Sequence, residues 1–207
     1  LLWLHTRGLY RPWDAPYALR ARHAEPEDPA PPEGTRVPHE RLPNDADPDT
    51  LLGVMHAYAG QVEALDLLLG TLLDTLDSAA LASNTRLVVL SARGFALGEH
   101  QRLGLCDAAL YNELVQAVLM VRGARTESGH RPDAAVRDSR LVLTSQLSAS
   151  IVDWVSAGLP EDQAAEPVST SPLPSALDRQ PGPELIAIEG VQGEVGYRTP
   201  AWYLRVP

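Results

Sequence analysis

The segment at residues 90–100, LSARGFALGEH, carries the side chains whose types and spacing come nearest to a chemical site. An apolar run leads into a turn of small residues, and the turn leads to Glu99 and His100. In open α/β sheets ligands bind beyond the carboxyl ends of strands, so this turn is the expected place for a site. Its apex is Ala92 and Arg93, where a hydrolase would need an acid or an imidazole. The pattern therefore leaves two interpretations, a working site or one that has lost its chemistry.

The other reactive side chains give no clear site. Glu99 and His100 look like half of a metal or acid–base site, but adjacent residues rarely point at one ion. Cys106 is the only cysteine; it excludes an internal disulfide, and the following Asp107 favours an inert thiol. The chain contains no phosphate-binding glycine loop and no serine nucleophile elbow. The other histidines do not pair at ligand spacing and are His5, His23, His39, His56 and His130.

Composition limits the classes of function. The chain has 207 residues and a net charge of −10, which argues against binding to nucleic acid or to anionic membranes because both require clustered Lys and Arg. No apolar stretch is long enough to span a membrane. The opening LLWLH is interpreted as a buried strand, and we expect the chain to be a piece whose true N-terminus lies upstream. The compartment stays open.

A regular apolar pattern predicts a long helix. Asp49 or Thr50 is expected to cap its start after Pro48. Extra leucines widen the stripe, which favours a helix lying on a sheet over a coiled coil. Gly70 within the helix predicts close packing there. The stripe has spacings of four and three and consists of Leu51, Met55, Tyr58, Val62, Leu65, Leu69, Leu72 and Leu76.

Strand-like and helical runs alternate along the rest of the chain. Residues 86–91 and 117–122 are predicted strands, and residues 110–116 are a predicted short helix. A further strand is expected to run into a helix capped near Thr144 or Ser145. Alternation of this kind favours an α/β fold with a mostly parallel sheet sandwiched by helices.

Two proline-rich acidic stretches set the predicted domain organisation. The first, at 24–49, is interpreted as an exposed, extended loop within a core at 1–158. The second, at 159–183, is interpreted as a linker. Residues 184–207 contain short β-rich runs separated by Gly and Pro, which predict a small antiparallel β appendage that packs on the core.

The order of these segments resembles the sulfatase branch of the alkaline-phosphatase-like superfamily. The opening LLWLHTRGLYRPWDAPYAL is similar to a family segment, with Pro12, Trp13 and Pro16 at the expected places. The family pattern Tyr-x-x-x-Val-x-x-x-Asp-x-x-x-Gly is matched by Tyr58, Val62, Asp66 and Gly70. The family segment Ser-Asp-His-Gly followed by Leu-Gly-Glu-His is matched by Ser91, Gly94, Leu97, Gly98, Glu99 and His100. Later similar segments are LYNELVQAVLMVR, SASIVDWVSAGLP and YRTPAWYLRV.

The resemblance implies an alkaline-phosphatase-like fold and hydrolysis of sulfate or phosphate esters. In the family, formylglycine made within a Cys/Ser-x-Pro-x-Arg motif is the nucleophile, and a divalent cation, Ca²⁺ or Mg²⁺, polarises the ester. This chain has neither that motif nor an Asp-Asp pair. Ala92 stands in place of a metal-ligating Asp, Arg93 in place of the next His, and Tyr10 in place of a loop His. Positive charge at Arg93 would repel a cation.

We therefore expect a sulfatase-like domain that is catalytically inactive by itself, has no cofactor of its own and retains either anion binding or a structural role. Arg93 could hold a sulfate or phosphate anion by its guanidinium group, or could instead face solvent or pair with Glu99. One alternative is the C-terminal part of an active metal-dependent ester hydrolase completed by an upstream segment. Another is an interaction module that forms a homodimer through the 51–76 helix. The resemblance leans towards an exported protein. The expected remnant site consists of Tyr10, Arg11, Ser91, Ala92, Arg93, Glu99 and His100.

Overall fold

The structure is a computed structural model that describes residues 1–6, 8–123, 137–156 and 182–207. Backbone contacts divide the chain into a larger unit, His5–Asp133, and a smaller unit, Leu1–Leu4 with Ala134–Pro207. The described helices are α1 (Tyr17–Ala21), α2 (Pro48–Ser78), α3 (Asn112–Val115) and α4 (Gln146–Ser156). The described strands are β1 (Glu40–Arg41), β2 (Leu87–Leu90), β3 (Ala96–Leu97), β4 (Arg102–Gly104), β5 (Leu119–Arg122), β6 (Ile186–Glu189), β7 (Val195–Arg198) and β8 (Tyr203–Val206). Short 3₁₀ turns lie at Ala82–Asn84 and Glu99–Gln101.

The long helix predicted from the apolar pattern is confirmed as α2. Its cap is Asp47, whose carboxylate accepts from the backbone N–H of Asp49 at 3.1 Å and from the Thr50 hydroxyl at 2.9 Å. These hydrogen bonds, first that from Thr50, lower the pKa of Asp47 below its usual value. Pro48 occupies the first helical position, where its missing N–H costs nothing. The cap therefore lies two or three residues before the positions expected for it.

The buried face of α2 differs from the predicted leucine-rich stripe. Met55 and Val62 in that stripe are 41% and 42% exposed. The small residues of the buried face let other backbone segments approach closely: a Cβ on Gly60 would lie 2.6 Å from the Arg20 Cα. The close packing predicted at Gly70 is wrong, because a Cβ there would meet no atom within 4 Å. The buried face consists of Gly53, His56, Ala57, Gly60 and Gln61.

The predicted mostly parallel sheet sandwiched by helices is wrong, and so is the alkaline-phosphatase-like fold. Every strand pairing among the described residues is antiparallel, in sheets of two or three strands. In the larger unit β2 pairs with β5, from Leu87 opposite Arg122 to Leu90 opposite Leu119. Strand β4 lies between β1 and β3 in a separate sheet.

The path between β2 and β5 contains the β3–β4 hairpin and the single turn of α3. Strand β5 then runs beside β2 in the opposite direction. The opening LLWLH forms no strand among the described residues, and Leu1 is 92% exposed, because an apolar run becomes a buried strand only where a neighbour covers it.

The acidic proline-rich segment is folded onto the larger unit instead of being a wholly exposed, extended loop. We call residues 24–47 the strap. Its Thr35 carbonyl accepts from the Trp13 backbone N–H at 2.8 Å, and its Val37 is buried. The buried Arg20 of α1 donates to the strap carbonyls of Pro32 and Gly34 at 3.0 and 2.7 Å. Hydrogen bonding to main chain therefore compensates for the small number of large apolar side chains in the strap.

An aromatic core joins the strap, α2 and the turn after β2. Trp13, Val37 and Phe95 are buried there, and Tyr58 of α2 packs against them. The Phe95 ring centroid lies 5.7 Å from that of Trp13 and 5.4 Å from that of Tyr58. Tilted ring pairs at these distances stabilise a core beyond the area that they bury. This core fixes Phe95, the residue that directly follows the candidate turn.

In the smaller unit, β6, β7 and β8 form an antiparallel meander, the pairing predicted for residues 184–207. Helix α4 begins at Gln146, one or two residues after the predicted caps, but residues 140–143 are not in a strand. Apart from its last two residues, the predicted linker at 159–183 lies outside the described residues. Within the described part of the chain, no helix has the length and apolar character needed to cross a membrane.

Candidate functional site

Backbone hydrogen bonds hold the turn that follows β2 on two sides. Ser91 donates its N–H to the Val118 carbonyl at 3.0 Å, and its hydroxyl accepts from the Val118 N–H at 2.8 Å. Gly94 donates its N–H to the Leu114 carbonyl of α3 at 3.0 Å. Residues 91–94, which we call the anion turn, are therefore a fixed connection between β2 and the aromatic core. The Ser91 hydroxyl oxygen is engaged by main chain, and no described side chain forms a hydrogen bond with it.

The Tyr10 side chain contacts the anion turn. Its hydroxyl donates to the carbonyls of Gly94 at 2.6 Å and Arg93 at 3.0 Å. Burial raises the pKa of Tyr10, the positive charge of Arg93 opposes that shift, and Tyr58 adds to it. A tyrosine hydroxyl has one proton, and here the two carbonyls share it as hydrogen-bond acceptors. Tyr10 therefore positions the turn and is not a donor to a ligand.

Arg93 and Arg11 are the two arginines next to this contact, Arg93 in the turn that Tyr10 meets and Arg11 adjacent to Tyr10 in sequence. Arg93 is exposed at the apex of the anion turn, and its charge acts on the Tyr10 hydroxyl. Arg11 is the exposed neighbour of Tyr10 in sequence. Neither forms an ion pair with an acidic side chain of the described residues, and Glu99 in particular does not pair with Arg93. Ala92 is exposed beside Arg93 and contributes no polar side chain.

Glu99 and His100 point to different partners. The Glu99 carboxylate accepts from the Leu97 N–H at 2.6 Å, and its charge, second to burial, raises the pKa of Tyr58. The His100 ring stacks on Tyr111 with centroids 4.1 Å apart and lies 3.8 Å from a Glu113 carboxylate oxygen. The predicted remnant is thus divided: one part surrounds the anion turn, and His100 belongs to a cluster around α3.

That second cluster contains Arg102, Tyr111 and Glu113, which the sequence did not single out, together with Asp107. The Arg102 guanidinium lies 4.3 Å from the Tyr111 ring centroid and donates through Nε to Asp107 at 2.9 Å. Arg41 of the strap's β1 also donates to Asp107, at 2.7 Å. The hydrogen bond from Arg102 is the main cause that lowers the pKa of Asp107, and the same bond raises the pKa of Arg102. Asp107 therefore ties β1 to β4 as an ionised carboxylate.

Replacing Asp107 by asparagine should make the free energy of unfolding of the larger unit less dependent on pH in the acidic range. Asp107→Asn is expected to lower the free energy of unfolding by about 1 kcal/mol near neutral pH, since the network is partly exposed. The folded state lowers the pKa of Asp107, so its contribution is present above the unfolded-state pKa of about 4 and is lost as the pH falls through the folded-state value. Urea unfolding at neutral and acidic pH measures the difference between wild type and variant, which should shrink in acid.

The exposed Asp66 on α2 supplies the matched control, because Asp66→Asn removes a carboxylate that makes none of these hydrogen bonds. Its effect should be below about 0.5 kcal/mol at each pH. A difference between wild type and Asp107→Asn that stays constant from neutral to acidic pH would contradict the role given to the carboxylate.

The residues of the anion turn do not fit the divalent cation that the resemblance implies. The position expected to supply a carboxylate is Ala92, the neighbouring guanidinium of Arg93 repels a cation, and the Ser91 oxygen already accepts from Val118. Hard cations require several oxygen ligands, usually including carboxylates. Across residues 1–6, 8–123, 137–156 and 182–207, no group of three or more His, Cys, Asp or Glu side chains could hold a metal ion.

Two residues important for this region carried no recognisable signal in the sequence. Arg20 and His39 form hydrogen bonds with main-chain atoms of segments that are distant in sequence, and a local sequence pattern cannot predict such contacts. Arg102 and Asp107, which flank the Leu-Gly-Leu-Cys run, had a weak signal in their opposite charges.

No protein-family model matches the chain, and the comparison with curated proteins gives no match.

Proposed function

We propose that this protein, whose fold is not that of a sulfatase although some of its segments resemble sulfatase sequences, does not hydrolyse esters by itself and binds a sulfate or phosphate group at the anion turn. The observation that carries the proposal is the Arg93 guanidinium, exposed at the apex of a turn that Tyr10 and α3 hold in place. Arg93 stands where the resemblance expects a metal-site residue. A fixed cation at that position offers an oxyanion the positive charge that a bound metal would otherwise provide.

The chemistry of the turn supports anion capture. A guanidinium group has five N–H donors in a planar fork that matches two oxygens of a sulfate or phosphate group. Arg11, adjacent to Tyr10 in sequence, is a second exposed cation. The chain has a net charge of −10. Even so, neither Arg11 nor Arg93 forms an ion pair with a described acidic side chain. The turn is therefore a local positive site on an acidic protein.

The same contacts argue against assigning hydrolysis to the turn. No described base forms a hydrogen bond with the Ser91 hydroxyl, whose oxygen accepts a main-chain N–H. Tyr10 donates its proton to two carbonyls, and Ala92 has no functional group. A nucleophile must lie within hydrogen-bonding reach of a base that can take its proton. The described residues of the anion turn contribute binding groups only, so the expected activity is recognition of the anion.

Mutation of Arg93 should remove this binding. We expect the wild-type protein to bind sulfate and inorganic phosphate with a dissociation constant of about 1–10 mM, since exposed ion pairs contribute little each. Arg93→Ala should weaken binding about tenfold or more, and Arg93→Lys should weaken it less because the charge remains while the fork is lost. Backbone amide shifts of residues 91–94 in NMR titrations, with chloride replacing the anion at constant ionic strength, measure the affinity.

Arg36→Ala is the matched control because Arg36 is an exposed arginine of the strap, away from the anion turn in sequence. Its affinity for sulfate should equal that of the wild type. Binding that is absent from the wild type, or that falls equally in Arg36→Ala and Arg93→Ala, would overturn the proposal. The second result would show that the anion is held only by nonspecific positive charge.

A further inference from the structure

His39 in the strap forms a hydrogen bond whose existence depends on the protonation state of its ring. Its Nδ1 accepts from the Leu105 backbone N–H at 3.0 Å. An imidazole nitrogen accepts only while it carries no proton, so the bond requires the neutral ring with its proton on Nε2. In the protonated ring, Nδ1–H would face another N–H. The bond is therefore present at higher pH and is lost when His39 takes up a proton.

The backbone around this bond is closely fitted. Gly104 has a φ of +63°, and a Cβ there would lie 2.3 Å from the Pro38 carbonyl oxygen and 2.4 Å from the His39 Nδ1. Directly after His39, Glu40 pairs with Leu103 at the start of the β1–β4 ladder. His39 thus adds a side-chain contact to the β1–β4 ladder that joins the strap to β4, and a glycine at 104 is needed for that contact.

The charged groups near the junction do not compensate for a proton on His39. On its own strand lie Glu40, which is exposed, and Arg41, which donates to Asp107. From the β4 side, Arg102 donates to the same Asp107 carboxylate. The ring of Phe95, whose centroid is 6.1 Å from that of His39, carries no charge. In the described part of the chain, no carboxylate forms an ion pair with His39.

We propose that His39 is an acid-sensitive latch, one of several contacts that hold the strap on β4, and that protonation of its ring loosens this junction. An ordinary histidine titrates within the physiological range of pH. Loss of the bond loosens the segment that contains Val37, which packs with Trp13 and Phe95 in the aromatic core. The consequence is a strap that is held more tightly on the core near neutral pH than in mild acid. This device does not depend on anion binding at Arg93.

Hydrogen exchange of the Leu105 amide tests the latch directly. Between about pH 7.5 and about pH 5.5, and after correction for the intrinsic pH dependence of exchange, its protection in the wild type should fall about fivefold. The Leu42 amide, which donates to the Gln101 carbonyl across the same junction at 2.8 Å, should lose protection with it. NMR also reports the His39 tautomer in the wild type, which should carry its proton on Nε2 near neutral pH.

The control is His39→Asn, because the asparagine side-chain oxygen can take the place of Nδ1 as acceptor but does not titrate. In this variant the protection of Leu105 should be the same at both pH values. Protection in the wild type that does not change with pH, a loss of equal size in His39→Asn, or an Nδ1–H tautomer near neutral pH would each overturn the proposal. The tautomer measurement needs no variant, so misfolding of His39→Asn cannot hide the answer.

Discussion

Gly94→Ala is expected to lower the free energy of unfolding by about 3 kcal/mol, close to the largest effect that overpacking usually causes. An added Cβ would lie 1.9 Å from the Glu113 carbonyl oxygen and 2.8 Å from the Gln116 carbonyl oxygen. Both atoms belong to main chain at α3 and cannot rotate away as a side chain would. The anion turn would have to move from α3 and break the hydrogen bond from Gly94 to Leu114. Urea or thermal unfolding of wild type and variant measures the loss.

Gly70→Ala is the matched control, since it makes the same chemical change at another glycine of the sulfatase-like pattern. A Cβ at Gly70, within α2, would meet no atom within 4 Å. Alanine is favoured over glycine in a helix interior, so this variant should gain about 1 kcal/mol. The two substitutions should therefore have opposite signs. A destabilisation of less than about 0.5 kcal/mol by Gly94→Ala would contradict the packing of the turn against α3.

Arg20→Ala is expected to cost about 3–4 kcal/mol and to release the strap. The Arg20 residue is 3% exposed. Its guanidinium donates to Trp13 at 2.6 Å and Ala15 at 2.9 Å, and to strap carbonyls at Pro32, Glu33 and Gly34. Alanine would leave these acceptors without their charged donor and would open a cavity beside Gly60. Unfolding by urea measures stability, and cleavage within the strap by a protease under native conditions measures its release.

Two variants separate this role from the loss of any arginine. Arg22→Ala removes a side chain that is 64% exposed and pairs with Glu63, so its cost should be below about 1 kcal/mol. Arg20→Lys keeps the charge but cannot donate in five directions, and it should retain only part of the stability. If Arg20→Ala and Arg22→Ala lose equal stability, the strap is not held by Arg20.

The elements predicted correctly are those determined by nearby residues. The apolar spacing and Pro48 were sufficient to predict α2, and the alternating runs after residue 184 were sufficient to predict the terminal strands. Pairing between distant strands was not predictable, because β2 and β5 look the same in sequence whether they run parallel or antiparallel. The buried face of α2 was also missed, since Gly53 and Gly60 are buried by the backbone that packs on them and not by their own hydrophobicity.

The candidate site was predicted in part. The resemblance placed Tyr10 and Arg93 in one region, and the structure brings the Tyr10 hydroxyl to the Arg93 carbonyl. The sequence could not show that this hydroxyl is used up by main chain, nor that His100 turns away to stack on Tyr111. Those outcomes depend on side-chain direction at residues with unusual backbone, such as His100 with a φ of 52°, which spacing alone does not encode.

The contacts of Arg20 have a consequence for how the strap can vary between related chains. Arg20 binds only carbonyl groups of the strap and none of its side chains, and every residue type supplies a carbonyl. The strap can therefore exchange most of its residues without losing its path, provided that the arginine one helix upstream is kept. Related chains would then vary in sequence within the strap while keeping arginine at position 20. The shape of this segment depends mainly on a residue outside it.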